Sequence, residues 1–144
     1  MIFTQKPSSF NLKAEVAGCF MEHDGKILLL LRHENESHGN TWGLPSGKIE
    51  GDETPKDAVI REIEEETNIV VSGKDLKYLG KVYVRYPDGD FIYHIFHSIL
   101  DKLRDVKLKP EEHTQFKWVT PEEALKMPFI KDLDACIKLV YGFN

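Results

Sequence analysis

The chain has 144 residues, enough to bury one core, and its 41% hydrophobic and 30% charged content is that of a folded globular protein rather than a disordered one. A formal charge of −5 excludes a broad, sequence-blind grip on a nucleic-acid polymer, which needs a basic surface, but leaves room for a small phosphorylated substrate. The longest apolar run, residues 27–31, is far too short to span a bilayer, and MIFTQKPSSF at the start has no leader pattern, so no membrane role is expected and the cytoplasm is the expected location.

Taken in chain order, residues 14–21 and 26–32 read as strands, with Asp24-Gly25 between them as a hairpin turn. The second strand carries ILLLL, apolar at every position, which predicts cover on both faces. HENESHGNT, residues 33–41, is polar and reads as a loop. The pattern then predicts a helix over residues 55–67, strands over 76–86 and 91–100 around a Pro87-Asp88-Gly89-Asp90 turn, and a strand over 114–119. Thr120, Pro121 and Glu123 have the form of a helix cap, and a last helix is predicted over 131–141. The expected fold class is α+β or α/β, a mixed β-sheet sandwiched between α-helices, and the expected organisation is one domain over residues 1–144.

The chemistry is concentrated in GKIEGDETPKDAVIREIEEETNI, residues 47–69. At about 100° per residue, Glu62, Glu65 and Glu66 project from one side of the predicted helix, while Val59, Ile60 and Ile63 fall on an adjoining side that can face a sheet. Glu64 and Asp57 point elsewhere. Three like charges within one and a half turns repel one another, each pair by about 0.2–0.5 kcal/mol, and they lie toward the helix end that disfavours negative charge. A divalent cation against that face would explain the arrangement; a solvated acidic face is the plainer alternative. Ligands made only of carboxylate oxygens suit Mg²⁺ or Mn²⁺. The segment before the helix favours the cation: Pro45-Ser46-Gly47 and Gly51 allow a tight backbone that can approach a ligand, and Glu53 stands at the helix start.

This stretch resembles the Nudix box: Gly, five residues, Glu, seven residues, Arg-Glu, an aliphatic residue, any residue, Glu-Glu, any residue, Gly, then an aliphatic residue. Gly47, Glu53, Arg61, Glu62, Ile63, Glu65, Glu66 and Ile69 fit it. Asn68 stands where the family has glycine, and asparagine is the next best residue for a left-handed helix cap. WGLPSGKIE, the apolar strand ending in Arg32 and the late FKWVTPEEA are similar to the MutT-like branch.

The resemblance implies a Nudix fold and a metal-dependent hydrolase that cleaves a diphosphate linkage in a nucleoside di- or triphosphate. Glu62, Glu65, Arg61 and Glu53 would carry the reaction. One to three Mg²⁺ or Mn²⁺ ions would be held by Glu62, Glu65, Glu66, the Ser46 carbonyl and a loop acid, Glu112 or its neighbour Glu111. Arg61 would orient the acids, Glu53 would support the loop, and Glu62, Glu65 or Glu112 would serve as base. Gly47, Arg32 and Asp132 are the expected substrate contacts, with Lys131 and Asp132 near the base edge. The implied partner is a small nucleotide, and the resemblance allows a homodimer.

Other readings remain on the same scaffold: hydrolysis of ADP-ribose, nucleotide sugars or dinucleoside polyphosphates, and a sensor that binds without turnover. A sensor usually loses box acids, and all are present here. An isoprenyl diphosphate isomerase would need an active-site cysteine, which Cys19 in a predicted strand does not obviously supply. Cys19 and Cys136 lack metal-ligand spacing and read as small buried residues. His94 and His97, three apart in a strand, fall on opposite faces and make a poor metal pair. Tyr83, Tyr86, Phe91 and Tyr93 could stack on a base or pack across strands.

Overall fold

A computed structural model describes residues 1–87 and 89–143. Among these, eight strands form one mixed sheet: β1 (Ile2–Phe3), β2 (Leu12–His23), β3 (Lys26–Arg32), β4 (Trp42–Gly43), β5 (Ser46–Lys48), β6 (Lys77–Tyr86), β7 (Gly89–Ile99) and β8 (His113–Val119). The main order is β1-β6-β7-β2-β3-β4, with β5 paired to β2 and β8 to β3. Among the described strands only β2 and β7 run parallel, from Leu12↔Asp90, across a register shift before Ala14↔Phe91, to Glu22↔Ile99.

The sheet alternates in and out as strand geometry requires. Ala17, Cys19, Met21, Leu28, Leu30 and Phe96 form a core on one face with Ala58, Val59 and Ile63 of helix α1 (Pro55–Thr67). Phe20, Ile27, Leu29 and Ile95 form the other core with Leu133, Cys136 and Ile137 of helix α3 (Leu133–Tyr141). The ILLLL strand is thus covered on both sides, and burying each such side chain is worth about 1.5–3 kcal/mol. The sandwich of a mixed sheet between helices is as expected.

The hairpin turn places Asp24 at φ 52° and Gly25 at φ 78°, the left-handed pair that a two-residue turn requires. Beyond it, β2 and β3 pair only at Glu22↔Ile27 and His23↔Lys26. They then diverge. β5 lies antiparallel against β2 with the register Val16↔Lys48, Ala17↔Gly47 and Gly18↔Ser46, and the Cys19 amide donates to the Pro45 carbonyl at 3.1 Å. β3 turns instead to β4 and β8.

Helix α1 has the predicted limits. The Thr54 hydroxyl accepts from the Asp57 amide at 3.1 Å, Pro55 occupies the first turn, and Asn68 closes the helix at φ 64° with its amide donating to the Glu64 carbonyl at 2.8 Å. Asparagine therefore does the work of the missing glycine. Helix α2 (Pro121–Ala124) begins with a full capping box of Thr120 and Glu123.

Elsewhere the boundaries move by one to two residues. The first predicted strand lengthens to Leu12–His23, and the last helix begins at Leu133 rather than residue 131. The short strands β1, β4 and β5 are too brief to carry a period and went unpredicted. Tyr86 pairs with Gly89 across the second hairpin, and Asp88 of the predicted turn lies outside the described residues. Among the described residues, no helix is long and apolar enough to cross a membrane.

Candidate active site

The divergence of β2 and β3 creates the site. β5 brings Ser46 and Gly47 up to the inner side of α1, where the Ser46 amide donates to Glu66 Oε1 at 2.9 Å. Gly47 leaves no room for a side chain: a Cβ there would fall 2.1 Å from Glu62 Cδ. Gly18 on β2 is equally constrained, because its Cβ would meet the Tyr93 hydroxyl and the Ser46 side chain. A glycine inside an otherwise apolar strand is the one signal in the sequence that could have singled it out.

Arg61 ties loop to helix. Its Nε and Nη2 donate to both Glu53 oxygens at 2.8 and 2.9 Å, Nη1 donates to Glu62 at 2.7 Å and to Glu65 at 3.3 Å, and Nη2 reaches the Lys48 carbonyl at 3.1 Å. Hydrogen bonding from Arg61 holds the Glu53 carboxyl down at about 2, while the Arg61 guanidinium is driven further up by Glu53.

The three helix glutamates are not equivalent. Glu66 is buried, and Glu62 is partly so, with 14% of its side chain accessible. Glu65 is the outer one, with 44% of its side chain accessible, on a shallow groove shared with Lys109 and Asn68. Burial pushes the Glu66 carboxyl up to about 8; the Ser46 amide and the Arg32 charge oppose this, and the charges of Glu62 and Glu112 reinforce it. Glu62 is also raised, first by burial, against the pull of Arg61 and with the charges of Glu65 and Glu112 adding. The charge of Glu112 thus acts on both inner acids in the same direction. The segment after β7 carries it, with the Lys107 amide on the Thr67 carbonyl at 2.9 Å and the His33 amide on the Glu112 carbonyl at 2.8 Å. Glu111, its competitor, is exposed.

One buried carboxylate, Glu66, with the half-buried Glu62 beside it, forms a set that a hard cation would relieve. Among the described residues, no three His, Cys, Asp or Glu side chains already converge closely enough to hold an ion alone. The donors at hand are carboxylate and carbonyl oxygens, the kind that hard divalent cations take. The residues fit the ion.

A cavity of 390 Å³ lies on the α3 face of the sheet; none of the helix acids lines it, and Lys48, whose carbonyl accepts from Arg61, is the link between it and them. Arg32 and Lys48 line the cavity, as do Tyr86, Phe91, Lys131 and Asp132 at the end of β6, the start of β7 and the start of α3. Arg32 donates to the Ser37 carbonyl at 2.7 Å, and Asp132 contacts the Met1 amino group at 3.1 Å. Lys13 and His38, neither singled out in the sequence, also line it; their positions depend on tertiary contacts that no local pattern signals. Tyr83 lies apart and packs edge-on to Phe10. His94 and His97 do face opposite sides, bonded to Glu15 and Glu22 respectively. Both cysteines are buried.

A mixed sheet between helices, with an acid-bearing helix clasped to a glycine loop, is the arrangement of a Nudix hydrolase. The NUDIX domain model matches residues 12–139, and the chain belongs to the Nudix family. It is 33% identical over 116 residues to the CTP pyrophosphohydrolase of Escherichia coli, covering 79% of this chain and 81% of that protein. It is 30% identical to the ADP-ribose pyrophosphatase of Bacillus subtilis over 116 residues, 78% of this chain and 60% of that one. The crystal structure of a MutT protein from Methanosarcina mazei superposes with a TM-score of 0.77 at 28% identity, over 90% of this chain and 92% of that one. The protein is a MutT-like hydrolase acting on pyrophosphate bonds, of a family that generally works with divalent metal ions.

Proposed function

We propose that residues 1–144, acting as one domain, hydrolyse the diphosphate linkage of a nucleoside di- or triphosphate with Mg²⁺ or Mn²⁺ and release a nucleoside monophosphate. The observation that carries this reading is the packing of Glu66 and Glu62 against Ser46 and Gly47, where the Ser46 amide donates to Glu66 and Gly47 leaves room only for the Glu62 carboxylate. Glu62, Glu66, Glu112 and the Ser46 carbonyl would hold the ion, with Glu65 completing its outer side. The bound ion would neutralise the diphosphate and lower the barrier to attack by water. Arg61, locked by Glu53, fixes Glu62 so that its free oxygen keeps one direction. Arg32 and the Gly47 backbone would meet phosphate oxygens, and Asp132 would meet the base edge. Glu65 and Glu62 are the candidate bases. The name of the Escherichia coli relative points to a nucleoside triphosphate and that of the Bacillus subtilis relative to ADP-ribose, so both belong in the test.

The test is incubation with Mg²⁺ and ATP, CTP, dGTP, 8-oxo-dGTP, ADP-ribose and a dinucleoside tetraphosphate, following monophosphate and pyrophosphate. Conversion of a triphosphate to monophosphate is expected. Turnover of ADP-ribose or the dinucleotide alone would move the substrate assignment, and tight binding without turnover would make the chain a sensor. Glu66→Gln should lower kcat by roughly 100-fold or more with the fold retained. A near-normal rate in that variant would remove Glu66 from the site.

A further inference from the structure

The polar loop after β3 carries a ring to the cavity. Ser37 and His38 line the cavity from this loop, while Tyr86 lines it from β6. The ring centroids of His38 and Tyr86 are 6.0 Å apart, with their planes tilted by 51°. Tyr86 is anchored: its hydroxyl donates to the Lys131 carbonyl at 2.8 Å, and Phe91 packs on it at 5.5 Å with planes at 65°. His38 is exposed at φ 56°, and its backbone is tied by its carbonyl, which accepts from the Thr41 hydroxyl. The imidazole is thus the ring with freedom to turn.

We propose that His38 and Tyr86 are the two plates of a clamp that grips the nucleobase of the substrate, His38 being the plate that moves. This rests on the nucleotide reading above and adds a base-gripping residue to it. A planar ring held between two others needs a contact of about 3.5–4.0 Å on each side, hence about 7–8 Å between the plates. The rings must part by about 1–2 Å and become parallel, a displacement that an exposed loop side chain can make. Nothing in this grip depends on base edges, because every base has a π-face. The clamp therefore selects for an aromatic base over a bare polyphosphate and discriminates weakly between bases.

Two measurements test it. In steady-state kinetics with CTP and dGTP, His38→Ala should raise KM roughly 5- to 100-fold for both, the range of one lost base–aromatic stack, with a much smaller change in kcat. His38→Phe, which keeps a ring but no imidazole, should restore KM to within about threefold of the wild-type value. The second measurement needs no turnover: titration of the wild-type protein with CMP and with GMP, followed by NMR of the histidine ring protons. His38 should shift upfield more than His33 on the same loop. If no nucleotide is hydrolysed, the function proposed above fails, yet the titration still decides the clamp. An unchanged KM in His38→Ala, a Phe variant no better than the Ala variant, or a His38 shift no larger than that of His33 would each overturn it.

Discussion

At Gly47 a single hydrogen in place of a methyl group decides whether Glu62 can stand where it does. A Cβ would fall 2.1 Å from the carboxyl carbon and 2.3 and 2.5 Å from its oxygens, so an added methyl must evict the carboxylate. The obstacle is the end of a side chain rather than backbone, so Glu62 can swing aside without unfolding the helix. Gly47→Ala should therefore cost only about 1–3 kcal/mol in stability, as overpacking does. Its kcat/KM should fall by roughly 100-fold, because a displaced reacting group costs that much. Urea unfolding together with steady-state kinetics checks this, and a variant with normal kinetics would show that Glu62 need not touch the loop. The position of Gly47 in the motif was legible in the sequence, and so were Arg61, Glu53 and the helix acids, because spacing along one helix fixes direction. The inequality of the acids was not. Glu65 is outermost because α1 turns Glu62 and Glu66 toward β5, and that rotation is set by the packing of Val59 and Ile63.

At the scale of elements, helix α1 was readable from both ends. Thr54, Pro55 and Asn68 each act locally, and local chemistry is what a sequence displays. Thr54 accepts one of the free amides of the first turn, so Thr54→Ala should destabilise by about 1 kcal/mol. At this size that lowers Tm by about 3–5 °C, measurable by scanning calorimetry. The side chain touches none of the candidate reacting groups, and kcat below the melting range should stay near normal. A loss of activity without a loss of stability would mean that the cap shapes the site. The short strands β4 and β5 were not readable, since two or three residues have no period. They exist because a diverging strand pair offers unpaired backbone groups, which is a property of the sheet and not of the residues 42–48 themselves.

The whole molecule responds to pH through groups that only the folded chain buries. His113, 4% exposed at the start of β8, has its pKa lowered from 6.5 to about 4 by burial and secondarily by the Arg32 charge. Among the described residues its Nδ1 has no hydrogen-bond partner. Between pH 6.5 and 4 the unfolded chain takes up a proton there that the folded chain refuses. The stability associated with the neutral ring is therefore complete above pH 6.5 and drains as pH falls toward 4, by at most about 3 kcal/mol. Urea midpoints across that window should show a steeper slope for the wild type than for His113→Gln. Equal slopes would clear His113 of the effect.

The gap between β2 and β3 has a further consequence. The segment that meets the acids is held by main-chain bonds to a strand at the heart of the sheet, so it can shift only if the sheet itself deforms. The region around residues 33–41 is tied by main-chain bonds at its two ends, to Arg32 and Glu112, while the exposed side chains between them, Glu34, Asn35, Ser37 and His38, stand in water. Stiffness is thus given to the segment under the acids and pliancy to the side chains of the loop beyond β3. On such a body, new substrates can be acquired by rewriting a few peripheral residues while the machinery for cleavage stays untouched.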